Sequence, residues 1–383
     1  MKYNKGILLL SMFAAFLCGA NLSVIGPLET WMIKDLSISH GQAGLIQSLF
    51  FIGSLLGAIM ASWLFGKLRQ KTFGLLALFS MGGGCLISGV QLYESLIIGR
   101  VIAGVGISLT AIFFTNVIVS QFEKSQASLL NWFHASLALG AALSIAAARD
   151  IAVLFNNWSI PFWMVGIFSF LLLLPLKHCI LADMREKEHM DRVAIRRMFS
   201  HPVLLSCFLV MVCYVSAEQG ALTFFAAYVE EEKQLPVAFS TLAASLYWAG
   251  MILGRIVASF ISLKFEERLQ IIGYTVVGAF FLLVCLFLSE QFGISIAIFL
   301  GGVAAGPIIP VAISHAVHQM KELKGGVVSV SNAACCLGGS IGPALAGFIG
   351  SQYSLLFGLM SVFLILFFSV IPFLLIPAKR VPS

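Results

Sequence analysis

Twelve long apolar runs, separated by short polar or Pro/Gly-rich breaks, make up almost the whole chain. They are Gly6–Trp31, Gly44–Phe65, Phe73–Leu92, Ser95–Ser120, Ala127–Val153, Trp158–Leu181, Val203–Val229, Ala238–Leu263, Leu269–Leu288, Phe292–His318, Val327–Gly350 and Leu355–Ile376. Each is long enough to cross the hydrocarbon core of a bilayer as a helix. Lipid offers the backbone no hydrogen-bond partners, so an apolar segment of this length satisfies its own polar groups by coiling. Only 10% of the residues are charged and 60% are hydrophobic, against roughly 25% charged in soluble domains. No water-soluble core has room for that much apolar surface. The expected fold class is an all-α membrane protein of twelve transmembrane helices. The first run lacks a small-residue cleavage site and reads as a retained helix, not a signal peptide.

The longest charged stretch, residues 182–202, separates six runs from six. We therefore expect an N-terminal bundle over 1–181, a linker over 182–202 and a C-terminal bundle over 203–383. The 23 Lys and Arg residues set the orientation. Arg100 and Arg255 lie deep within runs, and only Lys34, Arg149 and Lys233 fall in the loops or run ends on one side. All the others fall on the opposite side, which the positive-inside rule makes cytoplasmic together with both termini. The net charge of +6 thus follows membrane topology and does not point to nucleic acid. The expected location is the cell membrane, inner or plasma.

Several function classes drop out. The eight cysteines lie in or at the end of apolar runs, without metal-site spacing, and behave as small hydrophobes. No nucleophile–base or metal constellation supports an enzyme, and no ring of charges or repeated filter sequence supports a channel. No phosphate loop indicates direct use of ATP. No cofactor is expected.

The two halves repeat. At an offset of 197, Leu56, Gly57, Ile59, Ala61, Ser62 and Lys67 meet Leu253, Gly254, Ile256, Ala258, Ser259 and Lys264. The same offset pairs Ala20 and Asn21 with Ala217 and Glu218, and an offset of 198 pairs Ala135, Leu139 and Gly140 with Ala333, Leu337 and Gly338. Two parallel six-helix repeats are the signature of major facilitator halves.

Local motifs agree, and over its whole length the chain resembles the major facilitator superfamily. Ser62-Trp63-Leu64-Phe65-Gly66-Lys67-Leu68-Arg69-Gln70-Lys71 is similar to that family's Gly-x-x-x-Asp-Arg-x-Gly-Arg-Lys loop, with Ser62 and Gly66 at the first glycine and the acidic position. Arg100 with Gly104 resembles its Arg-x-x-x-Gly pattern in the fourth span. A narrower likeness is to the fucose–galactose–glucose porter branch. It rests on Leu130-Asn131-Trp132-Phe133-His134, Tyr214-Val215-Ser216-Ala217-Glu218, Tyr247-Trp248-Ala249-Gly250-Met251 and Gly306-Pro307-Ile308-Ile309-Pro310. The resemblance implies two pseudo-symmetric halves working as a monomer. It also implies a central cavity lined by spans one, four, seven and ten, with two, five, eight and eleven beside them.

One acid, Glu218, interrupts the middle of an apolar run. An ionisable group at that depth costs a few kcal/mol unless it meets a cavity or a partner, which marks it as functional. Burial disfavours a charged carboxyl and access to water restores it, so Glu218 is the first candidate for proton coupling. His134 is the second. The polar residues Asn21, Gln47, Asn116, Asn131, Gln219 and Asn332 supply paired donors and acceptors for a hydroxyl-rich solute. Trp132, Tyr247 and Trp248 add flat apolar faces. The competing reading for any single amide is a plain helix–helix bond of about 0.6 kcal/mol. Arg100 is expected to act in gating or structure by pairing with Glu29 or Asp150. Arg255 is expected to snorkel or pair with an acid such as Glu123. Gly306, Pro307 and Pro310 predict a break in the tenth span.

The expected function is proton-coupled secondary transport of a small polar solute, a sugar or polyol, with sodium as the other candidate ion. The alternative is proton-driven export of a drug-like or amphiphilic metabolite. The expected partners are the solute, the coupling ion and the bilayer.

Overall fold

A computed structural model describes residues 5–64, 67–122, 126–179, 200–261, 265–320 and 324–375. All regular structure among them is helical. Twelve helices are long and apolar enough to cross a membrane: Gly6–Leu36, His40–Ala61, Gln70–Ser88, Tyr93–Gln121, Trp132–Leu154, Ile160–His178, Pro202–Glu232, Val237–Ala258, Glu267–Phe287, Gln291–Gln319, Gly326–Gln352 and Leu355–Leu375. The first span is longer than the sequence suggested. A short 3-10 turn at Gly26–Leu28, started by Pro27, joins its main helix to a second one at Glu29–Leu36. Proline fixes its own φ and lacks an N–H, so α-helical bonding stops at Ser23 and resumes at Glu29. The expected linker 182–202 and the motif residues Phe65 and Gly66 lie almost entirely outside the described residues.

The chain divides into two compact units, residues 1–187 and 188–383. Within the first, span one packs on five, two on four, and three on both four and six. Within the second, seven packs on eleven, eight on ten, and nine on both ten and twelve. Adding six to each number in the first set gives the second, so the sequence repeat is also a packing repeat.

Glycines set the closest approaches in both units. A Cβ built on Gly53 or Gly57 in span two lies 2.2 and 2.6 Å from the carbonyl oxygens of Val101 and Val105 in span four. In span eight, the equivalent Gly250 and Gly254 meet the carbonyls of Phe299 and Val303 in span ten at 2.3 and 2.0 Å. Real side-chain carbons do not come so near to backbone, so only glycine allows these helices their contact. Small residues at interfaces serve this purpose in lipid, where dispersion contact replaces the hydrophobic effect between helices.

The tenth span is broken as predicted, into helices Gln291–Ala305 and Ile308–Gln319. Pro310 has no N–H to give the carbonyl four residues earlier, which is that of Gly306. Arg255 of span eight fills the place, its Nε donating to Gly306 O at 3.2 Å.

Candidate functional site

The second unit holds Glu218 midway along the seventh span, buried at 9% exposure. Tyr214 stands four residues earlier on the same helical face and donates its hydroxyl to Glu218 Oε1 at 3.2 Å. The Gln219 side chain sits beside the same carboxyl and is itself buried. From span eight comes Tyr247, also buried. Its hydroxyl lies close to Tyr214 and to the Glu218 charge without reaching ordinary hydrogen-bond geometry. The neighbouring Trp248 is buried, and its indole Nε1 finds no acceptor among the described residues. The guanidinium of Arg255 is within electrostatic reach of Glu218, Tyr214 and Tyr247. This group therefore joins one mid-span carboxyl to a phenol already bonded to it. It adds two buried donors, the Tyr247 hydroxyl and the Trp248 N–H, without bonds of ordinary geometry. Such donors are costly when left unmade, and a ligand rich in oxygen acceptors satisfies them.

The first unit holds a different group around Arg100, which is completely buried. Its Nη1 donates to the backbone oxygen of Asn21 at 3.1 Å and to Asn21 Oδ1 at 2.7 Å. Its Nη2 donates to Gln47 Oε1 at 3.0 Å. Gln47 in turn donates Nε2 to Leu22 O at 3.3 Å. The guanidinium carbon lies 3.9 Å from the centre of the Phe50 ring, a cation–π arrangement. Burying an ion costs several kcal/mol, and hydrogen bonds to a charged donor return about 1.5–3 kcal/mol each.

The expected pairing of Arg100 with Glu29 or Asp150 gives way to these amide contacts. Arg100 is two turns into its span and sealed in protein, whereas Asp150 is exposed at the far end of span five. Glu29 is within 3.1 Å of His40 Nδ1. Asn21 and Gln47, read from sequence as solute contacts, spend their oxygens on Arg100. Of their amide nitrogens, Asn21 Nδ2 remains buried without a partner among the described residues.

The other candidates stand differently. Asn116 is half-buried and donates Nδ2 to Ile112 O of its own helix at 2.8 Å. Trp132 and His134 are exposed on span five, with the His134 ring edge-on to Phe133 at 5.7 Å. Asn332 is exposed on span eleven. The Asn131 side chain and Glu123 lie outside the described residues.

Sequence reasoning missed two features. Tyr214 was quoted only within a motif, although its i, i+4 spacing to Glu218 was readable as a contact. The second is at the start of span nine, where Glu267 accepts from Ser314 and pairs through Oε2 with His315 and His318 at 3.2 and 3.0 Å. The i, i+3 spacing of the two histidines was the available signal.

Comparison with known proteins gives the family. A relative covering most of the chain is an uncharacterised MFS-type transporter, YceJ, of Bacillus subtilis (strain 168), 23% identical over 341 residues and covering 87% of this chain and 86% of that protein. A second, the galactose-proton symporter of Escherichia coli (strain K12), is 27% identical over 164 residues, 41% of this chain and 34% of the symporter. Among solved structures, a bacterial homologue of the human lysosomal transporter Spinster superposes with a TM-score of 0.82 at 14% identity, covering 98% of this chain and 97% of that one. At that identity the likeness bears on the fold alone. The family model of the Major Facilitator Superfamily matches residues 11–291 and 207–383, so this twelve-span chain belongs to the Major Facilitator Superfamily of transporters.

Proposed function

We propose that this transporter is a proton-coupled symporter for a small hydroxyl-rich solute, a hexose or polyol, and works by alternating rocking of its two six-helix halves. The observation that carries the reading is the Glu218 group: one acid in mid-span, bonded to Tyr214, beside Gln219 and near Tyr247. A carboxyl in that setting can hold a proton when shut off from water and release it when a cavity opens. Hydroxyls of the solute can meet the Tyr247 hydroxyl and the Trp248 N–H, neither of which reaches an acceptor in ordinary geometry among the described residues, and the aromatic faces suit a sugar ring. Similarity to a galactose-proton symporter over part of the chain supports the same substrate class and coupling ion. On this reading both termini are cytoplasmic, the location is the plasma or inner membrane, and the protein works as a monomer. Asn116, Asn131, Trp132, His134 and Asn332 remain candidate solute contacts, with His134 the second candidate on the proton path.

The test is Glu218→Gln in proteoliposomes with radiolabelled galactose. Gln preserves shape but carries no exchangeable proton. Uphill uptake driven by a pH gradient is expected to stop, while solute counterflow, which needs only alternating access, persists. Galactose binding to the parent is expected to vary with pH, and in the Gln variant to be flat. Undiminished pH-driven accumulation by Glu218→Gln removes Glu218 from coupling. Absence of any galactose or other hexose uptake by the parent, with proton-driven export of an amphiphile instead, moves the protein to the export class.

A further inference from the structure

We propose that the second unit carries a built site for an anionic glycerophospholipid, between spans eight, nine and ten, whose one residue in common with the Glu218 group is Arg255. Two cavities make it up. One is an apolar groove of about 410 Å3, with Val257, Leu269, Tyr274, Val277, Phe281 and Leu300 on its walls. The other, of about 350 Å3, has mostly apolar walls but carries the polar side chains Arg255, Glu267, Gln270 and Ser314 beside Pro307 and Pro310. Each is within the range of sites for small ligands or parts of larger ones, about 300–1,000 Å3. They adjoin, because Gln270 lines both and the consecutive residues Gly254 and Arg255 line one each.

The chemistry along this path is ordered like a phospholipid. At the polar end, Arg255 spends only Nε on Gly306 O, and its exposed side chain leaves Nη1 and Nη2 as a fork without a protein partner among the described residues. A guanidinium fork matches the oxygens of a phosphodiester. Glu267 does not compete for it, since its oxygens are engaged by Ser314, His315 and His318.

At the junction, Gln270 is only 5% exposed, and its Nε2 is fixed by Phe265 O at 2.7 Å. Its Oε1 is buried with no hydrogen-bond partner, as is the hydroxyl of Tyr274 one turn on. A buried acceptor and a buried donor left open beside a cavity point to a ligand that supplies both. A glycerol headgroup hydroxyl fits the first and an acyl ester carbonyl the second. Beyond them the groove is apolar, and the missing side chain of Gly273 leaves open space where a Cβ meets no atom within 4 Å. Phe265 and Leu269 are exposed at its rim. An acyl chain fits such a groove, whereas a water-soluble solute gains nothing from it. The charge of Arg255 selects a lipid with net negative charge, and the Gln270 acceptor selects one with a hydroxylated headgroup. Phosphatidylglycerol meets both requirements.

The test uses the full-length protein in detergent micelles, titrated with dioleoyl phosphatidylglycerol or dioleoyl phosphatidylcholine and read by native mass spectrometry. The parent is expected to keep one phosphatidylglycerol at lipid concentrations where phosphatidylcholine is lost. Gly273→Leu fills the groove without a clash at its Cβ, and Arg255→Gln removes the fork. Loss of one charged hydrogen bond corresponds to about tenfold in affinity or more, and each variant is expected to weaken phosphatidylglycerol retention by at least that factor. Inorganic phosphate at millimolar concentration is expected not to displace the lipid. Retention by Gly273→Leu equal to the parent overturns the proposal, as does equal retention of the two lipids by the parent. Displacement by phosphate alone, undiminished in Gly273→Leu, assigns the polar cavity to a free anion instead. Should Arg255→Gln fail to fold, Gly273→Leu at an unchanged melting temperature decides the matter.

Discussion

Arg100 and Glu218 show how one chain treats ionisable groups in its spans in two ways. Arg100 is enclosed by neutral oxygens and an aromatic face, with three hydrogen bonds to Asn21 and Gln47. Glu218 keeps a looser set, one bond to Tyr214 and the more distant Arg255. The first arrangement holds a charge permanently, and the second suits a group that changes its protonation. Gln47→Leu strips one partner from the buried guanidinium while preserving volume. It is expected to destabilise the protein by about 1.5–3 kcal/mol, the worth of a hydrogen bond to a charged group. Thermal unfolding in detergent measures it, and an unchanged melting temperature means that the Arg100–Gln47 bond contributes nothing. Trp248→Ala, which removes a buried donor and an aromatic face, is expected to weaken galactose binding by up to about tenfold, as one lost hydrogen bond does. Galactose affinity equal to that of the parent places Trp248 in packing.

At the scale of helices, the broken tenth span and its clamp act together. Pro310 leaves the Gly306 carbonyl without its helical donor, and Arg255 supplies one from span eight. In Pro310→Ala the restored N–H competes for that carbonyl, so the two positions are expected to be energetically coupled. Arg255→Gln is expected to cost about 1.5–3 kcal/mol in the parent and distinctly less in the Pro310→Ala background, a non-additivity that a double-mutant cycle measures. Equal costs in both backgrounds dissolve the link.

Much of this level was legible in the sequence. The apolar runs gave the spans because lipid leaves the backbone no alternative. The 197-residue offset paired Gly57 with Gly254, one of the glycine pairs that set the close approaches, and Gly306, Pro307 and Pro310 marked the break. Side-chain partners were less legible. Nothing in the spacing of Asn21, Gln47 and Arg100 shows that they meet, because three different helices bring them together and only packing sets their rotation. The Glu267 group escaped notice for the same reason, its acid and its histidines being 48 and 51 residues apart.

For the whole molecule, the repeated packing of spans one to six and seven to twelve makes each unit a copy of one design. The copies diverge where function is proposed. Asn21 and Glu218 occupy equivalent places at the 197-residue offset, yet the first is tied to a buried cation and the second to a phenol. One scaffold thus carries a buried, hydrogen-bonded guanidinium in one half and a mid-span carboxyl in the other, the asymmetry on which the proposed coupling at Glu218 rests.

Which face of the molecule meets the solute first depends on its insertion, and the Lys and Arg distribution sets the expected orientation. Cys introduced in place of Lys34 or Lys233, in a background lacking the eight native cysteines, is expected to react with an impermeant maleimide applied to intact cells. Cys in place of Lys71, a residue bonded through Nζ to Lys177 O at the opposite membrane face, is expected to react only after the cells are opened. Labelling of the Lys71 position from outside, in a variant that still folds, inverts the topology. Symport keeps its direction in either orientation, because solute and proton move together down the proton gradient, but the solute then reaches the Glu218 group from the other membrane face.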